Sequence, residues 1–256
     1  SKPAVICDEE VLTWAEFHQR LCRFANGLHA LGVEPGDRVA VLMDNGPEMI
    51  VTLFGIIVAG AVTVPLNVMV ADSALAAMVE DADAKAVITS GAHYERLASL
   101  RPDDAPRRVW IHAGAPRDGA MSFDRWLEEQ AGHDPRVPLT DEDECNIIYS
   151  SGTTGLPKGI VHTHRRRLDW FYDLAIALRY DRASVNLCSI GLFSNISWAG
   201  MGCTLLAGGT VIILRAFDAE RWLRAVDAHG VTHSAMVPVQ FQRILDASAF
   251  ETADLG

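Results

Sequence analysis

The sequence predicts an α/β fold in which parallel sheets are flanked by helices. Three observations predict it. Short β-branched runs alternate with helical stretches of about ten residues along most of the chain, the pattern of crossover connections in a parallel sheet. In runs such as RVAVLM, residues 38–43, every residue after the leading Arg38 is apolar, as in strands covered on both faces. With 256 residues, 49% hydrophobic and 21% charged, the chain can bury a sizeable core, which excludes a disordered or collagen-like protein.

The elements follow in order. Val5-Ile6-Cys7 and Val11-Leu12-Thr13 form a hairpin around the acidic turn Asp8-Glu9-Glu10. Thr13 and Glu16 stand at capping-box spacing, so a helix begins there, and it stops at Gly32 before the Pro35-Gly36 turn. The strand 38–43 is followed by helix 47–59, strand 61–65, helix 73–82, strand 86–89, a helix near 92–100 and strand 108–111. Residues 49–66 carry no charge, which meets the lower bound for a membrane span. Gly55, Gly60 and Pro65 interrupt the run, however, and Pro47 suits a first helical turn, so a buried helix leading into a core strand is the reading.

Between Ala131 and Asn146 the sequence is rich in Pro, Gly and acid with almost no periodicity. A boundary is placed there, giving a first α/β subdomain over 1–140 and a second over 141–256. The second alternates again: strand 146–150, a Gly-rich loop, strand 159–163, helix 165–179, strand 185–190, an apolar helix near 196–206, strand 210–214, helix 218–228, strand 232–237 and a helix after Pro238. The last residues, SAFETADLG, show no closing element.

Charge and cysteine usage narrow the function classes. Twenty-two Lys and Arg against 33 Asp and Glu give a formal charge of −11, which repels a phosphate backbone, so nucleic acid is not an expected partner. Any phosphate must be held by a local device. The five cysteines form no C-x-x-C pair and are odd in number, so neither a disulfide framework nor a zinc ribbon is indicated. A reducing cytoplasm fits, and no secretory leader is visible at the start. A homo-oligomer is left open.

The local device is at residues 149–159, Tyr-Ser-Ser-Gly-Thr-Thr-Gly-Leu-Pro-Lys-Gly. Glycines there let backbone amides converge, the hydroxyls of Ser150, Ser151, Thr153 and Thr154 add donors, and Lys158 supplies a full charge. Such a loop captures an anion, and a polyphosphate is the obvious guest. It is not a Walker A loop, because Leu156 and Pro157 separate Gly155 from Lys158 and the residues that follow favour a strand. Gly200 and Gly202 lack the third glycine of a dinucleotide fingerprint, and no G-x-S-x-G elbow exists. His162 and His164 form H-x-H without a third ligand at suitable spacing, and Arg165, Arg166 and Arg167 read as a solvated surface patch.

YSSGTTGLPKG resembles, at every position, the phosphate-loop signature of the adenylate-forming superfamily, which includes acyl-CoA synthetases, aryl-CoA ligases, luciferases and peptide-synthetase adenylation domains. VHTHRRR, the segment 65–90 and VTHSAMVPVQFQRIL resemble its flanking stretches. The resemblance implies two Rossmann-like subdomains of an incomplete N-terminal domain. It also implies an acid–CoA ligase, AMP-forming, that uses ATP, Mg²⁺ and CoA and activates a fatty or other hydrophobic carboxylic acid, with attachment to a membrane surface allowed if that acid is long-chained. An aryl-CoA ligase, an amino-acid adenylation domain and a noncatalytic nucleotide-binding module are the alternatives.

Carried over position by position, Ser150, Ser151, Gly152, Thr153, Thr154, Gly155 and Lys158 would cradle the ATP phosphates, with Ser150 beside the Mg²⁺ that ATP brings. The family's Tyr-Gly-x-Thr-Glu loop, ribose-binding Thr-Gly-Asp and catalytic lysine have no match. The chain therefore reads as the first half of such an enzyme, inactive alone and lacking the C-terminal domain. Where many relatives have Pro-Leu-Phe-His, this chain has Gly191-Leu192-Phe193-Ser194, so Ser194, Trp198 and Met236 are the candidates for the acyl or CoA pocket.

Overall fold

A computed structural model describes residues 2–100, 108–150 and 157–253. The hairpin expected at the start is β1 (Pro3–Cys7) and β2 (Glu10–Thr13), paired antiparallel. Helix α1 (Trp14–Ala30) begins on the expected capping box: Thr13 donates its hydroxyl to the Glu16 carboxylate at 2.7 Å and its amide at 2.9 Å. Strand β3 (Arg38–Leu42), helix α2 (Pro47–Val58) and strand β4 (Val62–Pro65) follow. Gly60, at φ +75°, turns the chain between the last two, donating to Ile57 O at 2.9 Å, while Ala61 donates to Ile56 O at 3.1 Å. The uncharged run 49–66 is thus a buried helix and strand, and no helix among the described residues is long and apolar enough to cross a membrane.

Next come α3 (Asp72–Asp81), β5 (Ala86–Ser90), α4 (His93–Ala98), β6 (Val109–Ala113), a two-residue β7 (Met121–Ser122) and α5 (Phe123–Glu128). Strands β8 (Glu144–Ser150) and β9 (Lys158–Thr163) lead into α6 (His164–Ala177). The chain continues with β10 (Val185–Cys188), α7 (Asn195–Ala207), β11 (Thr210–Ile213), α8 (Ala219–His229) and α9 (Pro238–Leu245). A short 3₁₀ turn at Ser248–Thr252 stands where no closing element was expected.

Two compact units result, and they do not follow chain order. One, residues 18–44 and 48–167, holds a seven-stranded sheet in the order β7-β6-β5-β3-β4-β8-β9, parallel except for the antiparallel pair β8–β9. Its core packs Leu42, Val64, Leu75, Met78 and Val87 between sheet and helices. The other, residues 1–17, 45–47 and 168–256, holds a four-stranded sheet in the order β10-β11-β1-β2, with a small core around Leu187, Ile212, Leu214 and Val226. Where a single break at 140/141 is expected from the sequence, β8 and β9 join the sheet built by the preceding residues, and β1 and β2 join the sheet built by the last ones.

The expected strand 232–237 is reduced to one parallel bridge, His233 to Asn186. Beyond it the Ser234 hydroxyl, rather than a backbone amide, donates to Leu187 O at 2.9 Å, and Pro238 opens α9.

Candidate functional site

The recognised loop is carried by the antiparallel pair β8–β9. Their ladder pairs Asn146 with His162, Ile147 with Val161, Ile148 with Ile160, Tyr149 with Gly159 and Ser150 with Lys158. The Ser150–Lys158 pair closes the mouth of the hairpin. Because side chains alternate along a strand, Asn146, Ile148 and Ser150 share one face with His162, Ile160 and Lys158. A hydroxyl and an ammonium, both exposed, therefore stand opposite one another on the same face. Ser151, Gly152, Thr153, Thr154 and Gly155 lie outside the described residues.

On the opposite face, Tyr149 anchors β8. Its hydroxyl donates to the Asp81 carboxylate of α3 at 2.6 Å and lies 3.1 Å from Met78 O. Burial, with Asp81 accepting its hydrogen bond, raises the Tyr149 pKa, so the phenol keeps its proton. Across the ladder Gly159 leaves room for that ring: a Cβ there would lie 3.0 Å from Ile147 Cγ2 and 3.3 Å from the Tyr149 ring.

At the base of the hairpin the ladder steps from Glu144–Thr163 to Asn146–His162, so Cys145 is an extra residue on β8, a β-bulge. Arg167, from the first turn of α6, reaches this point. Its Nε donates to Asn146 Oδ1 at 2.8 Å, and Nη2 lies 3.4 Å from His162 Nδ1. A guanidinium only donates, so His162 Nδ1 accepts there. Arg167 is 3% exposed, which corrects the reading of Arg165–Arg167 as a surface patch. Burial lowers its pKa to about 10, which leaves it charged at neutral pH. Arg165 and Arg166 are exposed, as expected, and Arg165 pairs with Glu142 at 2.8 Å and Asp141 at 3.1 Å.

Burial, followed by the nearby Arg167 charge, lowers the His162 pKa to about 4. Burial lowers that of His164 as well. Among the described residues no group of three or more His, Cys, Asp or Glu could hold a metal ion.

The His162 shift has a pH consequence. Above its ordinary pKa of 6.5 the ring is neutral whether the protein is folded or not. Between 6.5 and about 4 only the unfolded chain takes up the proton, so the His162 contribution to stability is full above pH 6.5 and is lost as the pH falls to about 4. Thermal unfolding from pH 7 to pH 4 should fall less steeply for His162→Gln, which keeps an acceptor for Arg167, than for the wild type. Equal slopes would contradict the assignment.

The weaker candidates lie in the other unit. Ser194 caps α7, its hydroxyl accepting from the Ser197 amide at 3.2 Å. Trp198, one turn on, is fully buried, and the partly buried Met236 precedes α9. Sequence reasoning placed Asn146 at the start of a strand but gave it no role, and misjudged Arg167. The available signal was the spacing of Arg167 four residues before the buried Phe171, which places both on one stripe of α6.

The chain is 38% identical over 249 residues to a feruloyl-CoA synthase from an Amycolatopsis species, covering 96% of this chain and 47% of that protein. It is 30% identical over 262 residues to a 3-hydroxybenzoate/4-hydroxybenzoate–CoA ligase from Thauera aromatica, covering 98% of this chain and 49% of that one. Its fold superposes on the structure of a fatty acyl CoA synthetase from Mycobacterium tuberculosis with a TM-score of 0.90 at 26% identity, covering 99% of this chain and 49% of that one. The chain spans about half the length of the curated relatives it matches. The family described as AMP-binding enzyme matches residues 1–256 in full, and the chain belongs to that family.

Proposed function

We propose that the chain supplies the ATP-tail-binding part of an AMP-forming acid–CoA ligase that activates an aromatic carboxylic acid. In the first step a carboxylate oxygen attacks the α-phosphorus of Mg-ATP, the bond to the bridging oxygen of the β-phosphate breaks, and pyrophosphate leaves. In the second, the CoA thiolate attacks the acyl carbonyl and AMP departs. The role of the hairpin is charge neutralisation of the leaving pyrophosphate, with the Lys158 ammonium and the hydroxyls and amides of Ser150–Gly155 around the β- and γ-phosphates. Ser150 is the residue proposed beside the Mg²⁺ carried by ATP. The observation that supports this most directly is the pairing of Ser150 with Lys158 on one face at the hairpin mouth.

The aromatic class rests on the 38% identity to the feruloyl-CoA synthase and the 30% identity to the hydroxybenzoate–CoA ligase. Likeness to the fatty acyl CoA synthetase structure favours a fatty acid as the second reading. Ser194, Trp198 and Met236 remain the proposed acyl or CoA contacts. A cytoplasmic setting is part of the same reading, supported by the cysteines, which are thiols buried in the fold.

The test is pyrophosphate exchange by the full-length protein with ferulate, 4-coumarate, 4-hydroxybenzoate, palmitate and acetate. Exchange should depend on the acid and be fastest with the aromatic ones. Fastest exchange with palmitate would favour the second reading, and no exchange with any acid would overturn both.

A further inference from the structure

We infer that Arg167 is a positioning residue that clamps the cross-strand partners Asn146 and His162, and so holds the bulged register that puts Ser150 on the same face as Lys158. The inference deepens the proposed function and rests on it for the role of those two residues in binding ATP.

The ladder has a competing arrangement. Continued without a bulge from Glu144–Thr163, it would pair Cys145 with His162 and, four steps on, Tyr149 with Lys158. A one-residue slip reverses which face each side chain of β8 occupies. The tyrosine would then stand where the serine hydroxyl now meets the ammonium, and Ser150 would turn to the other side of the sheet.

Apolar pattern alone does little to choose between the two registers, because Cys145, Asn146, Ile147 and Ile148 are all buried. What distinguishes them is polar. Only the bulged register brings the Asn146 amide next to the His162 imidazole on one face, and Arg167 addresses both, at 2.8 Å and 3.4 Å. A planar fork with donors on separate nitrogens can span two such partners, whereas a lysine ammonium is a single point of attachment. Leaving the buried Asn146 amide and the half-buried imidazole without these donors is costly, so the register that satisfies them is favoured, in addition to the Tyr149–Asp81 bond that holds β8 to α3. The clamp and the mouth lie four residues apart on each strand, 146 to 150 and 162 to 158, along the same face.

Two readouts on the full-length protein test this together. The first is the register itself: Ile148→Cys with Ile160→Cys places thiols at directly paired positions, close enough for a disulfide only in the bulged ladder. The second is the KM for ATP in pyrophosphate exchange. Both are measured with Arg167 present, with Arg167→Met, and with Arg167→Lys, which keeps charge and most of the volume and serves if the methionine variant does not fold.

Cross-linking should be efficient with Arg167 and fall severalfold in both variants, while the ATP KM rises about tenfold, the factor carried by one misplaced hydrogen bond to a charged group. The KM for the acid should stay constant. A residue that merely stabilised the fold would lower the amount of active enzyme and leave both KM values alone. Unchanged cross-linking in a folded variant overturns the inference, and so does reduced cross-linking with an unaltered ATP KM. If the protein with Arg167 shows no exchange with any acid, yet cross-linking falls on substitution, the clamp stands and the ATP reading is what fails.

Discussion

Replacing Lys158 with alanine should weaken binding of the ATP triphosphate roughly 10- to 150-fold, the range spanned by losing one hydrogen bond to a charged group. The lysine ends the loop at the first residue of β9, opposite Ser150, and its side chain is exposed rather than packed in the core. The thermal midpoint should therefore stay close to that of the wild type, because surface substitutions remote from packing rarely move stability by more than about 0.5 kcal/mol. An exposed ammonium is also screened by salt, which puts the effect toward the lower end of the range near physiological ionic strength and enlarges it in dilute buffer. Calorimetry with a nonhydrolysable ATP, repeated at two salt concentrations, checks both parts. Equal affinity for wild type and variant would remove Lys158 from the phosphate site.

Phe24→Ala should have the largest effect on stability, about 3–5 kcal/mol. The ring, on α1, is wholly buried in the unit that carries the hairpin. It meets Trp126 edge-on at 5.2 Å between centroids and Phe123 at 5.9 Å, contacts that add to the loss from burial alone. It also lies directly against the backbone of α2: a Cβ on Gly55 would come within 2.7 Å of it, so the surrounding helices are held apart by the ring and cannot close over the void. Urea unfolding followed by tryptophan fluorescence reads the change, and a loss below about 1 kcal/mol would mean that the site collapses more freely than this packing allows.

The legible parts of the fold were those with local chemistry. Thr13 and Glu16 declare a helix start because each satisfies the other's neighbouring backbone within four residues. Gly60 declares a stop because its backbone conformation suits glycine. Partners distant in sequence leave no such trace. Nothing in PAVIC says that it pairs with TVII more than 200 residues later, because apolar β-branched strands all offer the same ladder. The same holds for β8, whose neighbour β4 lies some 80 residues back, and this is why the units divide differently from a single break in the chain.

The site was legible to the same extent. The loop's composition is what the proposed anion capture is argued from, and the strands on either side of it are recognisable from β-branched residues. The bulge was hidden because Glu144 and Cys145 end an acidic, proline-rich stretch and look like its continuation, so the strand reads as starting only at Asn146. Arg167 was hidden by its neighbours. Three consecutive arginines suggest one solvated patch, yet a helix turns about 100° per residue, so neighbours point in different directions, and the third is the one directed inward.

The central claim is that the face shared by Ser150 and Lys158 receives the phosphate tail of ATP. The most direct measurement is a crystal structure of the full-length protein with Mg²⁺ and a nonhydrolysable ATP. The β- and γ-phosphate oxygens should lie about 2.7–3.2 Å from Lys158 Nζ, on the Ser150 side of the β8–β9 pair. A triphosphate bound elsewhere, with the lysine still facing solvent, would contradict the account.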